Sequence, residues 1–65
     1  MCLSTVYKLV DGTDEPEEVC SLVSTAKTDG ETVTFKDIMG TETKLTGKIS
    51  SIDLVQNKIY VACAS

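Results

Sequence analysis

Hydrophobic and polar positions alternate over short distances along this chain, and no apolar stripe at helical spacing lasts long enough to make a helix. Runs rich in valine and threonine are separated by turn residues, which is the pattern of β-strands. Five segments emerge. The first is Cys2 to Val10, ending at Asp11-Gly12, and a polar, acidic loop over Thr13 to Glu18 follows with the only proline, Pro16. Val19 to Thr28 and Glu31 to Asp37 meet across Asp29-Gly30. After a corner at Ile38-Met39-Gly40, the fourth segment runs from Glu42 to Val55, and Gln56-Asn57 or Asn57-Lys58 turns the chain into the fifth, Lys58 to Cys63.

Asp-Gly between two β-rich runs predicts a two-residue type I′ hairpin turn, because both central residues of that turn need positive φ. The turn pairs Ala26 with Val33, Ser24 with Phe35 and Lys27 with Thr32. It places Cys20, Leu22, Ala26, Val33 and Phe35 on the inner face. Val19 and Val23 fall on the outer face beside Thr25, Thr34 and Lys36, where apolar groups call for a covering loop or a second chain. In the fourth segment Leu45 and Ile49 share one parity while Ile52 and Leu54 take the other. This predicts a bulge or bend near Ser50-Ser51, with Gly47 allowing a sharp curl. The expected fold is all-β: one small domain over residues 1–65, a five-stranded SH3-like or OB-like barrel.

Composition limits what such a domain does. With 65 residues, the chain buries only about 60% of its unfolded surface, so a metal or a partner chain is a natural support. Six lysines and no arginine face ten acids, for a net charge of −4. The lysines are scattered and only Tyr7, Phe35 and Tyr60 could stack on bases, so the composition argues against nucleic acid. There is no run of about 20 apolar residues to span a membrane and no basic, apolar leader at the N-terminus, which gives a cytoplasmic expectation. Histidine is absent, which removes the commonest general base and metal ligand. No hydrolase triad can be assembled, and an enzyme is not expected.

The three cysteines, Cys2, Cys20 and Cys63, are odd in number and contain no Cys-x-x-Cys pair, so they fit reduced thiols better than a disulfide framework or a structural zinc site. Cys20 reads as core packing and Cys63 as edge packing or a loose thiol. The acids Asp14, Glu15, Glu17 and Glu18 read as a solvated loop. Cys2 carries the most chemistry. A cysteine beside the chain terminus joins a thiolate, a free amine and an amide in one chelating unit, with or without Met1. Such mixed nitrogen and sulfur donors suit Ni(II) or Cu(II) better than Mg(II) or Ca(II). The bland alternative is a reduced cysteine packed at the end of an edge strand.

Three stretches together are distinctive: Met1-Cys2-Leu3-Ser4-Thr5-Val6-Tyr7, Phe35-Lys36-Asp37-Ile38-Met39-Gly40, and Gly47 to Leu54 leading into Lys58-Ile59. The chain resembles the CooT family, small β-barrel proteins associated with nickel delivery to carbon monoxide dehydrogenase. The resemblance implies a homodimer that binds Ni(II), as cargo, through Cys2, with the amide of Leu3 as a further donor. It also implies a role as a metallochaperone-like accessory protein, with carbon monoxide dehydrogenase or another nickel enzyme as client. The competing reading is a small barrel that binds RNA or another protein without metal. It would require Tyr7, Phe35, Tyr60 and the lysines to gather on one face.

Overall fold

The computed structural model describes residues 3–10 and 15–63. Strands β1 (Ser4–Val10), β2 (Glu17–Asp29), β3 (Thr32–Asp37), β4 (Glu42–Asp53) and β5 (Lys58–Cys63) follow one another around a closed ring. Successive neighbours are antiparallel, and with five strands the first and last must run in the same direction. The closing pair is accordingly parallel, from Thr5↔Lys58 to Val10↔Cys63. Closure leaves no strand edge unpaired along the seam. Two of the strands are long enough to serve two neighbours each along different halves. The first half of β4 pairs with β3 (Lys36↔Glu42 to Thr32↔Thr46) and the second with β5 (Gly47↔Cys63 to Asp53↔Lys58).

The interior is small. Val6, Val23, Val33, Phe35, Ile59 and Val61 are buried, with Val19, Cys20, Leu45, Ile49 and Cys63 packed against them. Each fully buried side chain of this size contributes roughly 1.5–3 kcal/mol of transfer free energy. Val33 and Phe35 lie inward as the alternation in β3 predicts.

The β2–β3 hairpin differs from the sequence expectation in its turn. Gly30-Glu31, not Asp29-Gly30, occupies the central positions, so Ala26 faces Phe35, Lys27 faces Thr34 and Asp29 faces Thr32. Only Gly30 of the two has positive φ (62°). A turn with glycine at its first central position is the type II′ solution, which meets the same strand twist as type I′. Moving the turn by one residue shifts every partner by two, so each side chain of β3 keeps its face.

The second correction has more consequence. Leu22 has φ 57°, and the register of β2 slips against both β1 and β3 around this point. A bulge inserts one extra residue and reverses the parity beyond it. Leu22, expected inside, is therefore 49% exposed, and Val23, expected outside, is 4% exposed. Val19 packs against the core, so neither valine supplies an outward apolar face. Ala26 is also exposed rather than inside.

Elsewhere the pattern reading holds. β1 covers the first segment from Ser4 onward. The register slip between Ile49 and Ser51 puts the expected bulge at Ser50. Gly47 sits at the bend of β4, where a side chain would run into the Ala62 carbonyl. Asn57, at φ 57°, is the left-handed residue of the last turn, although β4 ends at Asp53 and leaves Leu54 and Val55 in that turn. Glu17 and Glu18 belong to β2 rather than to a loop.

Candidate functional site

The site expected from the sequence is the start of β1. Cys2 lies outside the described residues; Leu3 is half-buried and leads directly into the strand. Two elements hold the strand's first residues. On one side Ser4 pairs with Val23, just past the β2 bulge. On the other side the Thr5 amide donates to the carbonyl of Asn57 at 2.9 Å. Leu3 therefore leaves the ring between the β2 bulge and the β4–β5 turn.

Both flanks carry exposed apolar side chains. On the bulge side, the Ile38 amide donates to the Leu22 carbonyl at 3.1 Å, which places the β3–β4 corner beside Leu22. Leu22, Ile38 and Met39 are all exposed there, Met39 at 85%. On the other side Leu54 and Val55 are 79% and 92% exposed.

The two turns that present these residues are built alike. Asp37 Oδ1 accepts from the Met39 amide (2.9 Å) and the Thr41 amide (3.0 Å). Asp53 Oδ1 accepts from the amides of Val55 and Gln56, both at 2.9 Å. An aspartate that hydrogen-bonds the backbone two residues on is a local turn lock. It fixes each loop so that its apolar residues stand out instead of folding onto the ring. Sequence reasoning placed the corner at Ile38-Met39-Gly40 but did not see that both turns, with Leu22, would flank the start of β1. The available signal was the repeated order of aspartate followed by two large apolar residues.

The remaining candidates separate from this end. Cys20 and Cys63 are free thiols packed against the core. Burial pushes the Cys20 thiol above its ordinary value, a hydrogen bond with Thr43 opposes this, and the charges of Asp37 and Glu18 add to the rise. A protonated, part-buried thiol is a poor nucleophile and a poor metal donor. Among the described residues no group of three or more Cys, Asp or Glu side chains is arranged to hold a metal ion. Phe35 lies in the core, whereas Tyr7 and Tyr60 stack on each other across the β1–β5 seam with centroids 5.4 Å apart. Lys58 Nζ sits 5.7 Å from the Tyr7 ring centroid, within cation–π range. The three aromatic residues therefore do not share one face. No helix among the described residues is long and apolar enough to cross a membrane.

The described residues form a small closed all-β ring in which two exposed apolar turns flank the start of β1. The family model for the CO dehydrogenase accessory protein CooT matches residues 1–62, and the chain belongs to the CooT family. In fold it is similar to the crystal structure of a chain described as a CooT from Carboxydothermus hydrogenoformans. The two superpose with a TM-score of 0.83 at 19% identity, over 98% of this chain and 100% of the other. A search among curated proteins finds no significant match.

Proposed function

We propose that this CooT-family chain is a nickel-binding accessory protein that takes Ni(II) on Cys2 and passes it on during CO dehydrogenase maturation. In this reading the fold is a small SH3-like barrel that works as a homodimer without enzymatic activity. The observation that carries it is the placement of Leu3, which leaves the ring between two rigid, exposed apolar turns.

Cys2 stands one peptide bond before Leu3. Its thiolate, its amide nitrogen and the Leu3 amide are donors joined through a single residue, so they close small chelate rings. Deprotonated amide nitrogen and thiolate form the strong-field set that favours square-planar Ni(II). CO dehydrogenase is a nickel enzyme, which fits this cargo. A thiol donor also needs a reducing compartment, consistent with the cytoplasm.

A second copy explains the exposed apolar residues. Leu22, Ile38, Met39, Leu54 and Val55 stand on the two sides of the start of β1, and a twofold contact there would cover them and bring two Cys2 ends together. Two ends supply more donors than one, and a site at the rim releases its ion more readily than a caged one.

The test is titration of the protein with Ni(II) while following thiolate-to-nickel charge-transfer absorption, with Cys2→Ser in parallel. The proposal expects a saturable band in the native protein and none in the variant. An unchanged band in Cys2→Ser refutes it.

A further inference from the structure

Strand β2 changes neighbours part-way along its length. Its first half pairs with β1 as far as Ser4↔Val23, and beyond the bulge Thr25 to Asp29 pair with β3 alone. Every residue from Ser24 to Asp29 is exposed, on both faces of the strand. Among the described residues nothing lies along the other side of this stretch, so it is an open strand edge.

The hairpin fixes which backbone groups line that edge. A two-residue turn makes the pair that flanks it, Asp29↔Thr32, a hydrogen-bonded one. Bonding then alternates along the strand, so Lys27 and Thr25 also bond β3 while Ala26 and Thr28 turn their N–H and C=O groups outward. No hydrogen bond among the described residues reaches these outward groups. Such a row is a template for one more strand.

The side chains give that strand a pattern. Lys27 and Asp29 stand two residues apart on the solvent face, and the ion pair among the described residues, Lys8 with Glu17, involves neither. Lys36 and Lys44 lie further in, on β3 and β4, with Glu42 opposite Lys36. In a new antiparallel pair Lys27 and Asp29 take the non-hydrogen-bonded positions, where opposed Cα atoms are about 4.5 Å apart and side chains meet most closely. A lysine alone is the usual protection of an open edge; with Asp29 beside it the edge carries both signs in a fixed order. The inner face offers Ala26 and Thr28, both small. We infer that this edge takes an extended segment of a partner protein as an added antiparallel strand. A basic residue of that segment faces Asp29, an acidic one faces Lys27, and apolar ones cover Thr28 and Ala26.

A second copy of this chain does not fit the same edge. Twofold symmetry makes such a pair antiparallel and leaves three registers. With Ala26 on Ala26, Asp29 of one copy runs onto Val23 of the other, whose edge Ser4 already occupies. With Ala26 on Thr28, the two Lys27 side chains oppose each other. With Thr28 on Thr28, Lys27 meets Asp29, but Ala26 falls on Gly30, which is already in the turn. A straight segment from another protein meets none of these obstacles.

The edge is separate from the nickel reading, so it is tested on the full chain without metal. The probe is a short synthetic peptide repeating lysine-valine-glutamate-valine. The inference expects saturable binding that slows hydrogen exchange at least tenfold at the Ala26 and Thr28 amides. The same peptide N-methylated at its valines keeps every charge but loses the backbone donors, and should bind at least tenfold more weakly. Lys27→Glu, a change at an exposed position, should weaken binding about threefold. No binding, unchanged exchange at Ala26 and Thr28, equal binding of the N-methylated peptide, or unaltered affinity in Lys27→Glu would each overturn the inference. Protection of the same two amides that grows with protein concentration alone would make a second copy the occupant and also overturn it.

Discussion

Gly47 and Ala62 lie so close across the β4–β5 pair that a β-carbon on residue 47 would collide with the Ala62 carbonyl and reach 3.2 Å from the Cys63 α-carbon. The bend of β4 depends on this approach, because it is where the strand leaves β3 and takes up β5. The obstacle is the backbone of β5, so no flexible side chain can yield.

Gly47→Ala is therefore expected to destabilise the protein by about 3 kcal/mol, at the upper end for overpacking. Urea unfolding followed by circular dichroism measures it. A loss well under 1 kcal/mol would mean that β4 bends without the close contact.

The bulge at Leu22 makes two adjacent residues respond oppositely. Val23→Ala removes buried methyl groups and is expected to cost about 2 kcal/mol. Leu22→Ala acts on an exposed side chain and is expected to cost under about 0.5 kcal/mol. Simple alternation along β2, without the bulge, predicts the reverse order, so unfolding midpoints of the two variants decide between the registers.

Asp37 and Asp53 each accept two backbone hydrogen bonds at exposed turns. Asp37→Ala is expected to cost about 1 kcal/mol and to speed hydrogen exchange at Met39 and Thr41 without affecting Val55 and Gln56. Asp53→Ala should do the converse. Asparagine at either position keeps the accepting oxygen and should restore most of the protection.

The burial of Cys20 has a pH signature. Its thiol is held above the ordinary value, so the folded state keeps a proton that the unfolded state releases earlier. The stability this contributes is complete below the pH where an exposed thiol ionises, and it is lost as pH rises through the raised folded value. Urea midpoints compared between the native protein and Cys20→Val should converge or cross on alkalinisation. A difference independent of pH between neutral and alkaline conditions would contradict this.

How much of the structure the sequence disclosed follows from the kind of signal each feature leaves. The five strands, the Ser50 bulge and the bend at Gly47 show as changes of parity and as glycine at a crowded position. The hairpin turn was displaced by one residue because Asp-Gly and Gly-Glu are both chemically acceptable centres, and the choice depends on pairing further along β3. The Leu22 bulge left no local trace, since leucine is not a residue that favours positive φ; neighbouring strands impose it from both sides. The same distance effect hid the apolar border of the site. Leu22, Ile38 and Leu54 are remote in sequence and come to flank the start of β1 only once the ring closes. The expectation for Cys2 draws on local chemistry alone, a thiolate beside backbone amide donors, and Cys2 lies outside the described residues.

The central claim is that Cys2 of paired chains carries Ni(II), and native mass spectrometry of the protein with and without added Ni(II) tests it most directly. The account predicts a two-chain species whose mass increases by bound nickel, with no such increase in Cys2→Ser. Nickel retained by Cys2→Ser, or a native protein that stays a single chain and takes up no nickel, would contradict it.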